Sequence, residues 1–219
     1  MFSVENIVMW SLQFGILFGS IVLHEISHGY AALVLGDTTA KDAGRLSLNP
    51  FRHVDRFGTV ILPALMLLAS GGTFAFGYAK PVPINPYRFA NRKAGLAITG
   101  AAGPATNVAL GVIFALAFRF FAPGPEVAFI PVWWDLLFYA AYINLVLAFF
   151  NLIPIPPLDG SRVLQRFLPE TLRTAYHKLE PYGFVIIMGI AFLVPGVLDT
   201  YLAFTARLLL ALLIGVQFG

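Results

Sequence analysis

The sequence predicts an all-α polytopic membrane protein, and three observations carry that prediction. Of 219 residues, 58% are hydrophobic and 11% charged, against roughly 45–50% and about 25% in an ordinary soluble domain. Mean hydropathy is +0.80. Several apolar stretches reach the ~20 residues needed to cross ~30 Å of hydrocarbon. A soluble cytosolic enzyme, a disordered region and a fibrous repeat are thereby excluded. The net charge of +3 reads as Lys and Arg anchoring cytoplasmic loops, so no nucleic-acid partner is implied. With no cysteine, histidine and carboxylate are left as the ligands for any metal.

Taken in order, the first span is expected over residues 4–35. Met1 to Asn6 holds no Lys or Arg, and no small-residue cleavage site follows, so a removed signal peptide is not expected there. Further spans are expected over 94–121 and 133–153. Residues 183–198 and 201–216 give one or two more, separated by Pro195, Gly196 and Asp199. About five spans result. The stretch 57–70 is too short for a span and contains Pro63. No internal repeat is visible, and no polar stretch is long enough for a separate domain. One integral domain, 1–219, is expected, with a core over 4–168 and C-terminal helices over 183–217.

Loop charge decides the role of 57–70. Lys41, Arg45, Arg52 and Arg56 precede it; Lys80, Arg88, Arg92 and Lys93 follow it. Both flanks therefore read as cytoplasmic. Residues 122–132 hold no Lys or Arg, whereas 159–182 hold Arg162, Arg166, Arg173 and Lys178. These signs alternate only if 57–70 enters and leaves on one side, as a re-entrant or interfacial segment. The N-terminus then lies outside.

Ionisable side chains within an apolar helix point to function. His24, Glu25 and His28 stand in Leu23-His24-Glu25-Ile26-Ser27-His28-Gly29. Histidines at i and i+4 share one helix face and both reach one Zn²⁺, with the glutamate beside the metal to act on its water. A catalytic zinc normally takes three protein ligands. Asp159 is a candidate for the third, because Asn151-Leu152-Ile153-Pro154-Ile155-Pro156-Pro157-Leu158 precedes it and Gly160 follows. Prolines break the helix there, and irregular backbone at membrane depth belongs in a buried or wet cavity. A helix N-cap is an equally good reading of Asp159 alone. For one metal to meet His24, His28 and Asp159, the spans bearing them must run in the same direction. One crossing, 94–121, must then lie between them, which again makes 57–70 re-entrant.

Other polar residues read more simply. His53 and His177 fall in polar connections and are expected to be solvated or interfacial. Arg119 and Arg207 are expected to snorkel or to face the bundle. Asn144 reads as readily as an interhelical hydrogen bond as a catalytic group. Trp133 and Trp134 read as an aromatic anchor at the outer face.

The pairing of His24-Glu25-Ile26-Ser27-His28-Gly29 in one span with Asn151 through Asp159-Gly160 at the end of another resembles the site-2 protease family of intramembrane zinc metalloproteases. The resemblance covers roughly residues 7–168, and the chain is similar to the short form that has no PDZ domain. It implies one Zn²⁺ held by His24, His28 and Asp159, Glu25 as general base, and Asn151 as oxyanion donor. It also implies that Gly77-Tyr78-Ala79-Lys80-Pro81-Val82 is a small membrane-associated β element pairing an unwound substrate. Ala102-Gly103-Pro104-Ala105-Thr106-Asn107 resembles a further signature of the family, with Asn107 facing the site. The chain departs from the family in an apolar insertion before Gly77.

The function so implied is intramembrane endoproteolysis within or near transmembrane segments of protein substrates, as in regulated intramembrane proteolysis. The expected setting is a prokaryotic plasma membrane, with the lipid bilayer as partner and the active site toward the cytoplasm. A separate regulatory membrane protein is a further partner in this reading. The alternatives are a metal-binding transporter using His24, Glu25, His28 and Asp159 as a relay, or an inactive protease-like scaffold. Against transport, no inverted repeat is apparent.

Overall fold

The structure is a computed structural model that describes residues 4–69, 71, 77–123, 131–194 and 196–215. It is helical throughout, with no strand among the described residues. In chain order the helices are α1 (Val4–Val34), α2 (Thr39–Asp42), α3 (Leu62–Ala69), α4 (Arg92–Phe120), α5 (Val132–Asn151), α6 (Asp159–Gln165), α7 (Glu170–His177), α8 (Gly183–Leu193) and α9 (Val197–Ile214). Four of them, α1, α4, α5 and α9, are long and apolar enough to cross a membrane. The protein is therefore an integral membrane protein whose scaffold is these helices.

The C-terminal region, where one or two spans were expected, forms two helices, α8 and α9. Helix α8 holds 11 residues, which at 1.5 Å per residue is about half the hydrocarbon thickness. The break falls at Gly196, whose φ of +82° is a left-handed conformation that glycine adopts without steric cost.

Helix α4 occupies the middle, packed against α1, α5, α6 and α9. Asn91 starts it by accepting the Ala94 N–H at 3.0 Å, an N-cap that satisfies one of the orphan donors of the first turn. Small residues recur along it at helical spacing, and Gly111 shows their use. A Cβ there would stand 2.7 Å from Leu145 Cδ2 and 3.3 Å from the Ala141 carbonyl of α5. Between helices in lipid, close backbone approach replaces the hydrophobic drive as the source of packing energy. Ala115, Ala141, Leu145, Ala206 and Leu210, each fully buried, form the apolar core where α4, α5 and α9 meet. Arg119 faces the bundle, donating to the Leu213 carbonyl, and Trp134 donates to the Phe118 carbonyl while stacking on its ring.

After the stretch 57–70 the chain lies beside residue 58 again at Tyr78. Asp55 caps a wide π-type turn, Arg56–Ile61, by accepting the Phe57 and Gly58 N–H groups, and α3 follows. Tyr78 then donates its backbone N–H to the Gly58 carbonyl at 3.0 Å. Departure and return are thus hydrogen-bonded neighbours. The apolar insertion itself lies mostly outside the described residues.

Residues 77–82 were expected to form a β element; they form no ladder among the described residues, yet alternate backbone groups bond to one side as in an extended chain. The Lys80 N–H donates to the His53 carbonyl, and the Tyr78 and Lys80 carbonyls accept from Thr59 Oγ1 and Arg45 Nη2. These partners are loop groups rather than a neighbouring strand, and that is why no sheet is assigned. The intervening Ala79 N–H and carbonyl and the Pro81 carbonyl have no partner among the described residues. His53 corrects an expectation here: it is fully buried, its Nε2 donating to the Ser47 carbonyl, because the loop after α2 folds over this segment.

Asp37 ties the same segment to the end of α1. Its carboxylate is fully buried and accepts from Thr39 and from the Asn85 N–H. Burial opposes its ionised form, but the Thr39 hydroxyl, the two backbone N–H groups and nearby Arg88 outweigh burial and hold the carboxyl below its usual range.

Candidate metal centre

The three residues His24, Glu25 and His28 occupy the C-terminal third of α1, where their ligand atoms lie within 4.8 Å of one another. The two imidazoles face each other edge to plane with centroids 4.7 Å apart. Asp159 meets them from the start of α6: its Oδ2 is 3.1 Å from His24 Nε2 and 3.2 Å from His28 Nε2. All three side chains are buried. What brings Asp159 there is the irregular turn between α5 and α6. Gly160 packs so closely beneath the Leu152 and Ile153 carbonyls that a Cβ would collide with them.

Hydrogen bonds on the far side of each ring turn the Nε2 atoms toward Asp159. His24 Nδ1 stands 2.5 Å from Asn107 Oδ1, and His28 Nδ1 stands 2.6 Å from the Thr99 carbonyl. Neither oxygen can donate when Asn107 is oriented this way, so each Nδ1 carries a proton and each Nε2 is the nitrogen left to meet a cation. Deprotonated at Nε2, two imidazoles and a carboxylate would converge in a buried space. That donor set repels itself and suits a cation. Four ligands at ~2.0–2.2 Å around tetrahedral zinc stand roughly 3.3 Å apart, close to the separations observed.

Helix α4 makes room for the centre. A Cβ on Gly103 would lie 2.5 Å from both His24 Nε2 and His28 Nε2. Behind the centre runs a buried polar chain: Asn107 Nδ2 donates to Asn144 Oδ1 at 2.8 Å, Asn144 Nδ2 to Ser20 Oγ and to the Ala140 carbonyl, and Ser20 to the Ile16 carbonyl. Asn144 thus forms the interhelical hydrogen bond that was one reading of it. Sequence reasoning did not find Thr99, Ser20 or the space at Gly103.

The remaining candidates fall as follows. Glu25 is half-buried, and its Oε2 accepts the Val82 N–H at 3.0 Å, so residues 77–82 and the metal centre share a hydrogen bond. Asn107 stands behind His24, on the side away from Asp159. Asn151 donates to the Leu147 carbonyl of its own helix. Gly77 and Tyr78 pack on Pro63 and Gly58, Ala79 is buried, and Lys80 is exposed. On the opposite flank, Arg162 Nη1 faces Asp159 Oδ1 at 3.8 Å.

The family model of peptidase family M50 matches residues 125–195. That stretch carries Asn151 and Asp159. The chain is 36% identical over 179 residues to a protein of Bacillus subtilis (strain 168) provisionally named zinc metalloprotease YwhC, covering 77% of this chain and 74% of that one. It is 30% identical over 171 residues to Rip2 of Mycolicibacterium smegmatis (strain ATCC 700084 / mc(2)155), also provisionally named a zinc metalloprotease, covering 77% and 62%. With zinc metalloprotease MJ0392 of Methanocaldococcus jannaschii it shares 27% over 167 residues, 76% of this chain and 37% of that one. The chain thus spans less than two thirds of the latter two relatives. No solved structure matches it.

Proposed function

The chain belongs to peptidase family M50, and from that premise we propose that it is a zinc-dependent intramembrane endopeptidase of the site-2 protease type. It hydrolyses peptide bonds within or near transmembrane segments of membrane proteins. The observation that carries this reading is the convergence of His24 Nε2, His28 Nε2 and Asp159 Oδ2 beside Glu25. These three residues hold one zinc ion, which when bound supplies a Lewis acid that activates water and polarises the scissile carbonyl. Glu25 accepts the proton of the attacking water on Oε1, since Oε2 is engaged by the Val82 N–H, and returns it to the leaving nitrogen. Asn107 and Thr99 hold the imidazole tautomers that ligation requires. Asn151 serves as oxyanion donor once its amide turns from the Leu147 carbonyl.

The substrate aligns along residues 77–82. A helix protects its own carbonyls, so the substrate is unwound, and the unpartnered groups of Ala79 and Pro81 are the edge on which an extended chain pairs. Gly77, Tyr78 and Lys80 line that approach. The single domain 1–219, built on about five membrane segments with 57–70 re-entrant, presents this edge at the cytoplasmic side of a prokaryotic plasma membrane, with the N-terminus outside. Cysteines placed at Thr39 and Asn91 are both expected to label from the cytoplasm; opposite labelling overturns this topology.

The test of function is cleavage of a membrane-anchored reporter by purified protein carrying one zinc per chain, lost on chelation and restored by zinc. Failure of zinc-loaded, folded protein to cleave any such reporter, with zinc transported instead in vesicles, favours the relay reading. For Asn107, replacement by alanine is expected to weaken zinc about 10–100-fold in chelator competition, while Asn107→Asp retains an acceptor for His24 and much of the affinity. Unchanged zinc affinity in Asn107→Ala rejects its positioning role.

A further inference from the structure

A second site lies outside the metal centre. Where α4, α6 and α7 come together, a cavity of about 330 Å³ is lined by Arg92, Lys93, Arg162, Arg166, Arg173 and His177, with Glu170 as the single carboxylate on its wall. Five permanent positive charges therefore share this space with one negative charge. Glu170 pairs with both Arg173 and Lys93, Arg162 faces Asp159, and Arg92 lies over the Tyr87 ring. Arg166 has no partner among the described residues. Like charges held around a cavity repel one another and raise the local potential for an anion.

A second observation is independent of the charges. Gln165 also lines the cavity, is only 6% exposed, and its amide has no hydrogen-bond partner among the described residues. Its amide, able both to donate and to accept, is thus a neutral polar group on the cavity wall. The depth of the site narrows the ligand. Arg92 and Lys93 are the first residues of α4, so the cavity opens where that span meets the headgroup layer. Guanidinium forks match phosphate oxygens bidentately, and basic pockets between spans at this level suit anionic headgroups.

We propose that this cavity binds a phosphate-bearing anion, in the membrane the phosphodiester of an anionic phospholipid headgroup, on Arg166 and Arg173 with Gln165 completing its hydrogen bonds. The test uses the full chain in nanodiscs of phosphatidylcholine alone and of phosphatidylcholine doped with phosphatidylglycerol of the same acyl chains. Thermal stability and lipid retained in native mass spectrometry are the readouts, with inorganic phosphate added in a parallel arm.

Phosphatidylglycerol is expected to be retained selectively and to raise the melting temperature. Arg166→Ala, at an exposed and unpaired side chain, is expected to lower that apparent affinity about tenfold, the loss of one charge-assisted contact. Arg166→Lys retains part of it, and Lys178→Ala, outside the cavity lining, changes nothing. A response to inorganic phosphate that is lost in Arg166→Ala supports the site and identifies free phosphate compounds as a source. Equal behaviour in both lipid compositions with no response to phosphate overturns the proposal. So does a lipid preference that Arg166→Ala and Arg173→Gln leave intact.

Discussion

Replacing Glu25 by glutamine is expected to leave zinc bound and to slow cleavage of a membrane-anchored reporter by about 10²–10⁴-fold, the usual contribution of a positioned general base. Glutamine retains the shape of the side chain and an oxygen to accept the Val82 N–H, so α1 and the 77–82 segment remain joined. What it lacks is a basic oxygen for the proton of the attacking water. The prediction therefore separates chemistry from structure: zinc content and melting temperature stay near those of the parent while turnover falls. A variant with one zinc per chain and undiminished turnover would refute the role assigned to Glu25.

A methyl group on Gly103 is expected to dismantle the centre without touching any ligand. Its Cβ would stand 2.5 Å from both Nε2 atoms, about 1 Å inside ordinary van der Waals contact. The two rings can retreat only by abandoning Asn107 and Thr99 or by separating from Asp159. A misplacement of about 1 Å costs on the order of 10²-fold in a catalytic site, and Gly103→Ala is expected to lose at least that factor in zinc affinity and in reporter cleavage. Gly111→Ala is the control. It lies on the same helix as Gly103, but its Cβ meets Leu145 of α5, so it loosens the bundle and lowers the melting temperature while each folded molecule still binds zinc with parental affinity. Equal zinc affinity in Gly103→Ala and the parent would show that the space at Gly103 is dispensable.

These two variants mark what local sequence reveals and what it hides. Glu25 is legible because His24 and His28 stand one helical turn apart around it, and charge in an apolar helix is conspicuous. Asp159 is legible through the prolines before it, since broken helix at membrane depth needs a reason. The contribution of α4 is not written so openly. Gly103 acts by lacking a side chain, and Thr99 acts through a carbonyl that every residue possesses. Asn107 was expected to face the site; it stands behind His24, because the face a helix turns toward a neighbour depends on packing between distant segments. His53 was expected to be solvated for a similar reason, since a polar connection reads as exposed until the segment that covers it is known. In the C-terminal region the break at Pro195, Gly196 and Asp199 was legible, and the structure divides the region there into α8 and α9.

The hydrogen bond from the Val82 N–H to Glu25 gives the protein a mechanical interlock. On the proposed function, the stretch of backbone that would offer Ala79 and Pro81 to an incoming chain also steadies the group that would move the proton. A polypeptide drawn into register along that stretch would then pull on the proton acceptor, whereas one that only collided with the metal centre would not. Recognition and reaction then share one moving part, so poor alignment is felt as slow turnover rather than as weak binding alone.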